Sequence, residues 1–317
     1  MYNSDVAKNK AIIPKKEVHF LKNLKSNFDL YLFVLPGIVI TFIFQYIPIY
    51  GIQIAFKDFS ARKGIWASDW VGFENFIRFF QSSYFSLLLW NTFIISLYSI
   101  LAGFPLPIIL ALMLNSFRHT RYRRIIQTVT YAPNFISTVV MCGMLLLFLS
   151  PRVGIVNTII GLFGSSPVHF MAEQSLWRHI YVWSGVWQGT GWASVIYFAA
   201  LSAVSPEYHE AAIVDGATKL QRILYIDIPF IIPTAAILLI LNSGGIMSVG
   251  FEKAFLLQNN LNLGVSEIIA TYVYKIGLVY NDMSFSAAIG VFNSIVNAVL
   301  LISVNWFASK VSENSLW

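Results

Sequence analysis

Six stretches of this chain, at about 30–54, 86–114, 128–150, 178–203, 227–250 and 284–308, are too long and too apolar for a soluble core to cover. Each approaches or exceeds the roughly 20 helical residues that cross a hydrocarbon core about 30 Å thick. In lipid every backbone N–H and C=O must find its partner within the protein, so such stretches are helices. Composition agrees: 57% of residues are hydrophobic and 11% charged, against about 25% charged in soluble domains, and mean hydropathy is +0.67. The expected fold is an all-α membrane protein with six transmembrane helices in one domain, 30–308. Pro36, Pro48, Pro105, Pro107 and Pro133 predict kinks along them.

Orientation follows from basic residues, which are retained on the cytoplasmic face. With the N-terminus inside, the cytoplasmic segments hold thirteen of the 21 Lys and Arg residues: Lys8, Lys10, Lys15, Lys16, Lys22 and Lys25, then Arg118, Arg121, Arg123 and Arg124, then Lys219 and Arg222, then Lys310. Loops 55–85, 151–177 and 251–283 then lie outside, and tails 1–29 and 309–317 inside. The lysine-rich N-terminus lacks a short apolar segment with a small-residue cleavage site and does not read as a signal peptide. The net charge of +6 sits beside apolar spans rather than along an aromatic-studded face, which argues against a nucleic-acid partner. Cys142 lies inside an apolar span as a packing residue. Residues 72–80 (Gly-Phe-Glu-Asn-Phe-Ile-Arg-Phe-Phe) suggest a short interfacial anchoring helix, and Trp66, Trp70, Trp177 and Trp183 an aromatic belt.

What is missing narrows the function. No glycine-rich phosphate loop ending in Gly-Lys-Ser or Gly-Lys-Thr occurs. The histidines (His19, His119, His169, His179 and His209) show no metal-ligand spacing, and no nucleophile or metalloprotease motif accompanies them. The chain is therefore not expected to be an enzyme and carries no cofactor or metal of its own. Apart from Arg178, His179 and Asp227 near their ends, the spans contain no Asp, Glu, Lys, Arg or His, whereas proton-coupled transporters generally need an intramembrane relay. A self-powered sugar transporter or channel stays open as the alternative, because sodium sites built from carbonyls leave little trace in sequence.

The segment 205–229 is expected to be a capped helical loop in the cytoplasm. Ser205 is placed to cap a helix with Pro206 and Glu207 in its first turn. Gly216 is placed to end it in the left-handed conformation, and Thr218 to cap a second helix carrying Lys219 and Arg222. The two form a helix-turn-helix projecting from the membrane. The spacing Glu210-Ala211-Ala212, three residues, Gly216, nine residues, Ile226, one residue, Ile228-Pro229 resembles the signature loop of ABC importer permeases, with Ile228 in place of leucine.

That resemblance extends over most of the chain after about residue 28. Residues 51–58, 70–76, 251–253, 271–275 and the terminal Ser315-Leu316-Trp317 look like the oligosaccharide and polysaccharide branch of the carbohydrate-uptake permeases, which includes alginate-type members. It implies the type I ABC importer permease fold in a bacterial inner membrane. It implies that Glu210, Ala211, Ala212, Asp215 and Gly216 couple to a partner ATPase. The implied partners are a second, related permease, a dimer of ATPase subunits that bind ATP and Mg, an extracytoplasmic solute-binding protein and a glycan.

A polar substrate needs hydrogen-bonding groups, and sugars favour aromatic faces. In the fourth span Gly185, Gln188, Gly189 and Trp192 share one helical stripe; helix packing explains such a stripe equally well. By analogy with maltose-type permeases, Asn134 and Thr138 in the third span and Asn242 in the fifth join these as pathway candidates. Asn91, Asn293 and Asn297 are weaker, with interhelical hydrogen bonding their expected role. Asn242-Ser243-Gly244-Gly245 is expected to mark a helix irregularity.

Overall fold

The computed structural model describes residues 27–117 and 119–311; the N-terminal lysines, Arg118 and Ser315-Leu316-Trp317 lie outside the described residues, as does most of both expected tails. The chain divides into two units at Gly51. In the first, helix α1 (Phe28–Thr41) continues through a π turn (Phe42–Tyr46) into the 3-10 segment Ile47–Phe56. It is apolar on all sides, as a helix bathed in lipid must be.

The second unit begins with a correction to the all-helical expectation. Strands β1 (Lys57–Asp58) and β2 (Asp69–Trp70) pair antiparallel, Lys57 opposite Trp70. Buried Lys57 donates to the Ile65 carbonyl at 2.7 Å and lies 4.7 Å from the Trp70 ring. Helix α2 (Glu74–Gln81) follows, and its Asn75 donates to the carbonyls of Ala55 and Lys57 at 3.1 and 3.3 Å. The segments around Ala55–Asp58 and Asp69–Asn75 are thus one small structure. Helix α2 is more than an interfacial anchor: Phe79 is fully buried against Phe285 and Phe292, while Phe73 and Ile77 stay exposed.

Helices α3 (Tyr84–Gly103) and α4 (Pro105–Asn115) join at Phe104, the prolines being tolerated at a first turn, where no N–H is needed. Helix α5 (Thr120–Tyr131) leads through the 3-10 turn Ala132–Phe135 to an extended Ile136, and α6 (Thr138–Phe148), capped by Ser137, departs at 96°. The expected third span is therefore broken rather than kinked. Pro133 contributes no N–H to continue a helix there. After α7 (Ile155–Leu162) comes α8 (Gln174–Ser202), 29 residues long, about 44 Å at 1.5 Å per residue. Then follow α9 (Pro206–Val214), α10 (Lys219–Arg222), α11 (Ile228–Gly244), α12 (Phe251–Leu257), α13 (Ile269–Tyr274) and α14 (Met283–Val311).

Among the described residues four helices are long and apolar enough to cross a membrane: Phe28–Phe56, Tyr84–Asn115, Lys219–Gly244 and Met283–Lys310. The bent pair Thr120–Phe135 and Thr138–Phe148 makes a fifth if it counts as one. Helix α8 has the length but is diluted by Arg178, His179, Gln188 and its hydroxyl residues.

Helix α8 is the centre of the second unit, packing along α3, α4 and α5. One core gathers Ile95, Cys142, Tyr181, Val182, Leu257 and Ile268 around Trp177. Trp177 is fully buried, stacked on Tyr181, and donates Nε1–H to the Leu257 carbonyl at 3.1 Å, so it is a core residue and not part of an aromatic belt. A second core joins Phe79, Leu88, Met247 and Ile269 to Phe285 and Ile289 of α14. Asn91 is buried as an interhelical cross-link, accepting from Arg178 at 2.7 Å and donating to the carbonyls of Gly264 and Glu267. Asn297 accepts from the Met247 N–H at 3.0 Å where the backbone turns after Gly244, the irregularity expected from the paired glycines.

Helix α8 approaches α5 closely at Gly191. A Cβ there would stand 1.9 Å from the Thr130 carbonyl oxygen, a backbone atom that cannot swing aside. Gly191→Ala should push α8 away from α5 and cost about 1–3 kcal/mol, the usual penalty of overpacking. The expected outcome is a lower thermal midpoint of the detergent-solubilised protein, with Gly189→Ala, whose Cβ would meet nothing within 4 Å, close to wild type.

Candidate functional site

Two regions carry polar or exposed groups that packing alone does not require. The first is the loop between α8 and α11. The Ser205 hydroxyl accepts from the Glu207 N–H at 3.4 Å and opens α9. The helix closes in a Schellman motif: Gly216 takes φ +78°, its N–H reaches the Ile213 carbonyl at 3.0 Å, and the Ala217 N–H reaches that of Ala212 at 2.8 Å. Thr218 and Gln221 form a capping box that starts α10. Helix α10 does not project alone; through a π turn at Ile223–Asp227 it runs into α11, giving one helix from Lys219 to Gly244. Only α9 and its turn stand out from the bundle, so the expected helix-turn-helix shrinks to one helix and a reversal.

Glu210, Ala211, Asp215 and Gly216 are exposed and Ala212 is half-buried. Beside them Tyr208, Ile213 and Val214 are exposed, the last at 87%. The helix is fastened at its base. His209 Nε2 lies 3.3 Å from Asp227 Oδ1, which is buried in the root of α11, and Lys219 Nζ donates to the Ser116 carbonyl at 3.2 Å. A cavity of about 910 Å3 opens behind α9, with Arg123, His209, Glu210, Arg222 and Asp227 in its wall.

The second region is a cavity of about 460 Å3 between α3, α4, α8 and the segment 242–253. It brings together Gln188, Gly189 and Asn242 from the pathway candidates, but not Asn134, Thr138 or Trp192. These three belong to the broken corner. Asn134 lies in the 3-10 turn before it, Thr138 begins α6, and the Trp192 ring meets Phe135 edge-on at 5.9 Å. Gln188 serves both places: it lines the cavity and donates Nε2–H to the Ile136 carbonyl at 2.7 Å, satisfying the backbone where the helix breaks.

Sequence reasoning missed Ser96, Ser99, Ser248 and Lys253 in the cavity wall. The two α3 serines, three residues apart, share a face that helical spacing alone would have shown. Lys253 lies beyond the end of the Lys219–Gly244 span, and the fold carries it back against α8. There its Nζ donates to the Tyr181 carbonyl at 2.7 Å and lies 4.8 Å from the Tyr181 ring. A Cβ at Gly185 would stand 3.1 Å from this ammonium, so the glycine leaves room for it. Burial lowers the Lys253 pKa to about 8.

Comparison with known proteins reads the same way. The family described as "Binding-protein-dependent transport system inner membrane component" matches residues 103–313. Protein LplB of Bacillus subtilis (strain 168) is 37% identical over 302 residues, covering 95% of each chain. The polygalacturonan/rhamnogalacturonan transport system permease protein YteP of the same organism is 37% identical over 310 residues, covering 97% of this chain and 96% of its own. A chain in the crystal structure of a bacterial alginate ABC transporter, in complex with its alginate pentasaccharide-bound periplasmic protein, superposes with a TM-score of 0.85 at 37% identity. That match covers 93% of this chain and 99% of the other. With the family matching two thirds of the chain and relatives matching nearly all of it, the protein belongs to the binding-protein-dependent ABC importer permeases: an inner-membrane component whose ATPase is a separate subunit.

Proposed function

We propose that this permease moves an oligosaccharide or polysaccharide fragment across the membrane by alternating access, with α9 as the element that receives motion from the ATPase. The observation that carries the reading is the loop 205–218. It is a short helix closed at both ends by its own caps, tied at its base to the root of α11, and presenting Glu210, Ala211 and exposed apolar side chains outward. A rigid, self-capped helix with an uncovered apolar tip is suited to seat in a groove on a partner. The glycan assignment is supported by the names of the relatives, for pectic polysaccharide and alginate, together with the neutral hydrogen-bonding groups of the cavity.

In this reading the chain crosses the membrane six times, with α8 as a full crossing that tolerates polar groups because neighbouring helices cover them, and with both termini and α9 in the cytoplasm. It pairs with a second, related permease and stands on two ATPase subunits that bind ATP and Mg. Glycan arrives from an extracytoplasmic binding protein. The ATPases close, the two permeases rock as rigid bodies, and Glu210 to Gly216 carry the displacement.

Orientation is testable by labelling. With Cys142 replaced by alanine, a single cysteine at Val214 should react with a membrane-impermeant maleimide only in inside-out vesicles, and one at Trp66 only in intact spheroplasts; the reverse pattern would invert the topology. Coupling is testable in the reconstituted importer. Gly216→Val forces a β-branched side chain into a left-handed conformation costing about 1–2 kcal/mol, enough to lower the properly formed loop about tenfold. Stimulated ATPase and uptake should fall together while the subunit remains inserted. Gly216→Asn, which tolerates that conformation, should retain most activity, and Glu210→Lys should uncouple without unfolding the loop. Unchanged stimulation in both Gly216→Val and Glu210→Lys would remove α9 from the coupling route.

A further inference from the structure

We propose that Lys253 is the residue of this subunit that meets the negative charge of an acidic sugar passing through the cavity beside α8, which makes uronate-containing glycans the preferred cargo. The inference rests on the reading of the chain as a glycan permease and narrows it.

The position of the ammonium argues for it. The ion pairs of the described residues engage Lys63, Arg78, His209 and Lys275, and none engages Lys253. Its ammonium donates to one carbonyl and lies over one ring, both from Tyr181, so hydrogen-bonding capacity is left over on the side of the cavity that it lines. Lys253 is half-buried between α8 and the cavity that it lines, and a tie from α12 to α8 needs no charge, since a neutral amide would donate to the same carbonyl.

The surroundings suit a sugar acid. Ser96, Ser99, Gln188, Asn242 and Ser248 offer neutral donors and acceptors around the same cavity, apt for hydroxyl groups, and Lys253 is the one basic side chain among its lining residues. Gly185 gives it room: a Cβ there would stand 3.1 Å from the ammonium, close enough that the lysine would have to shift. One fixed cation among neutral groups attracts an anion without trapping it, as a pathway requires.

The test uses the complete importer with its own binding protein in proteoliposomes, comparing Lys253→Arg and Lys253→Gln with wild type. The probes are trigalacturonate and its fully methyl-esterified form, which keeps the hydroxyl groups and loses the charge. Lys253→Gln should lower trigalacturonate uptake about tenfold, the loss of one charge-assisted hydrogen bond, and leave ester uptake within about twofold. Lys253→Arg should keep most of the trigalacturonate rate. Equal losses on both probes would reduce Lys253 to a packing tie, and no loss on either would remove it from the pathway. Should wild type refuse the ester, the uronide alone decides: equal rates for the Arg and Gln variants overturn the inference. Failure of wild type to import either probe would remove the acidic-glycan reading along with it, whereas import without an Arg-to-Gln difference overturns only the role of Lys253.

Discussion

The second unit depends on how α8 meets the broken helix beside it. At Gly191 the missing side chain lets the Thr130 carbonyl oxygen lie only 1.9 Å from where a Cβ would stand, and one turn earlier Gln188 reaches the Ile136 carbonyl. Each contact makes the other useful. Close approach brings the glutamine within reach, and the amide supplies the partner that the carbonyl lost when the helix broke after Phe135. In lipid an unsatisfied backbone group costs several kcal/mol, so the 96° turn between 120–135 and 138–148 is stable only where a neighbour provides such a donor. The orientation of α6 then governs α12, which packs on it, and with α12 the placement of Lys253.

The same economy explains why α8 is less apolar than the helices around it. It donates through Trp177 and Gln188 to carbonyls at two interruptions of neighbouring backbone, at Leu257 and Ile136, and through Arg178 to Asn91, itself holding the carbonyls of Gly264 and Glu267. A purely aliphatic helix would pack as well but would leave these irregular segments without partners. The polar groups that dilute its hydropathy are what permit irregular backbone around the cavity, and the cavity exists because that backbone is irregular.

This division decides what the sequence could reveal. The features of loop 205–218 were legible because each is local: Ser205 and Thr218 act on N–H groups two or three residues away, and Gly216 acts on its own φ. The apolar stretches were legible because lipid tests every residue of a helix in the same way. Trp177 was misread because an indole near a predicted span end has the same local signature whether it faces headgroups or a carbonyl 80 positions away. The stripe Gln188-Gly189-Trp192 was read as one surface, yet α8 divides it between a cavity and a corner, since residues one turn apart on a helix meet different neighbours when one of those neighbours is broken. Lys253 was invisible as a cavity residue because its position depends on α12 folding back against α6 and α8.

The base of α9 shows why a short helix of nine residues suits the transfer of motion. A helix this short is marginal in water, and its caps stabilise shape without fixing direction. Direction comes from the His209 contact to Asp227 and from Lys219 on the Ser116 carbonyl, which tie the loop to the root of α11 and the end of α4. Asp227 is buried and also lies 3.5 Å from Asn115, so three chain segments meet at one carboxylate. A displacement imposed on the exposed face of α9 therefore cannot be absorbed by bending the loop alone; it strains the junction of α4 with α11. One helical run joins α10 to α11 from Lys219 to Gly244, with a π turn at Ile223–Asp227 and Pro233 along it, so a load on this junction would travel toward Asn242 in the cavity wall, and the π turn and proline are where the run would bend.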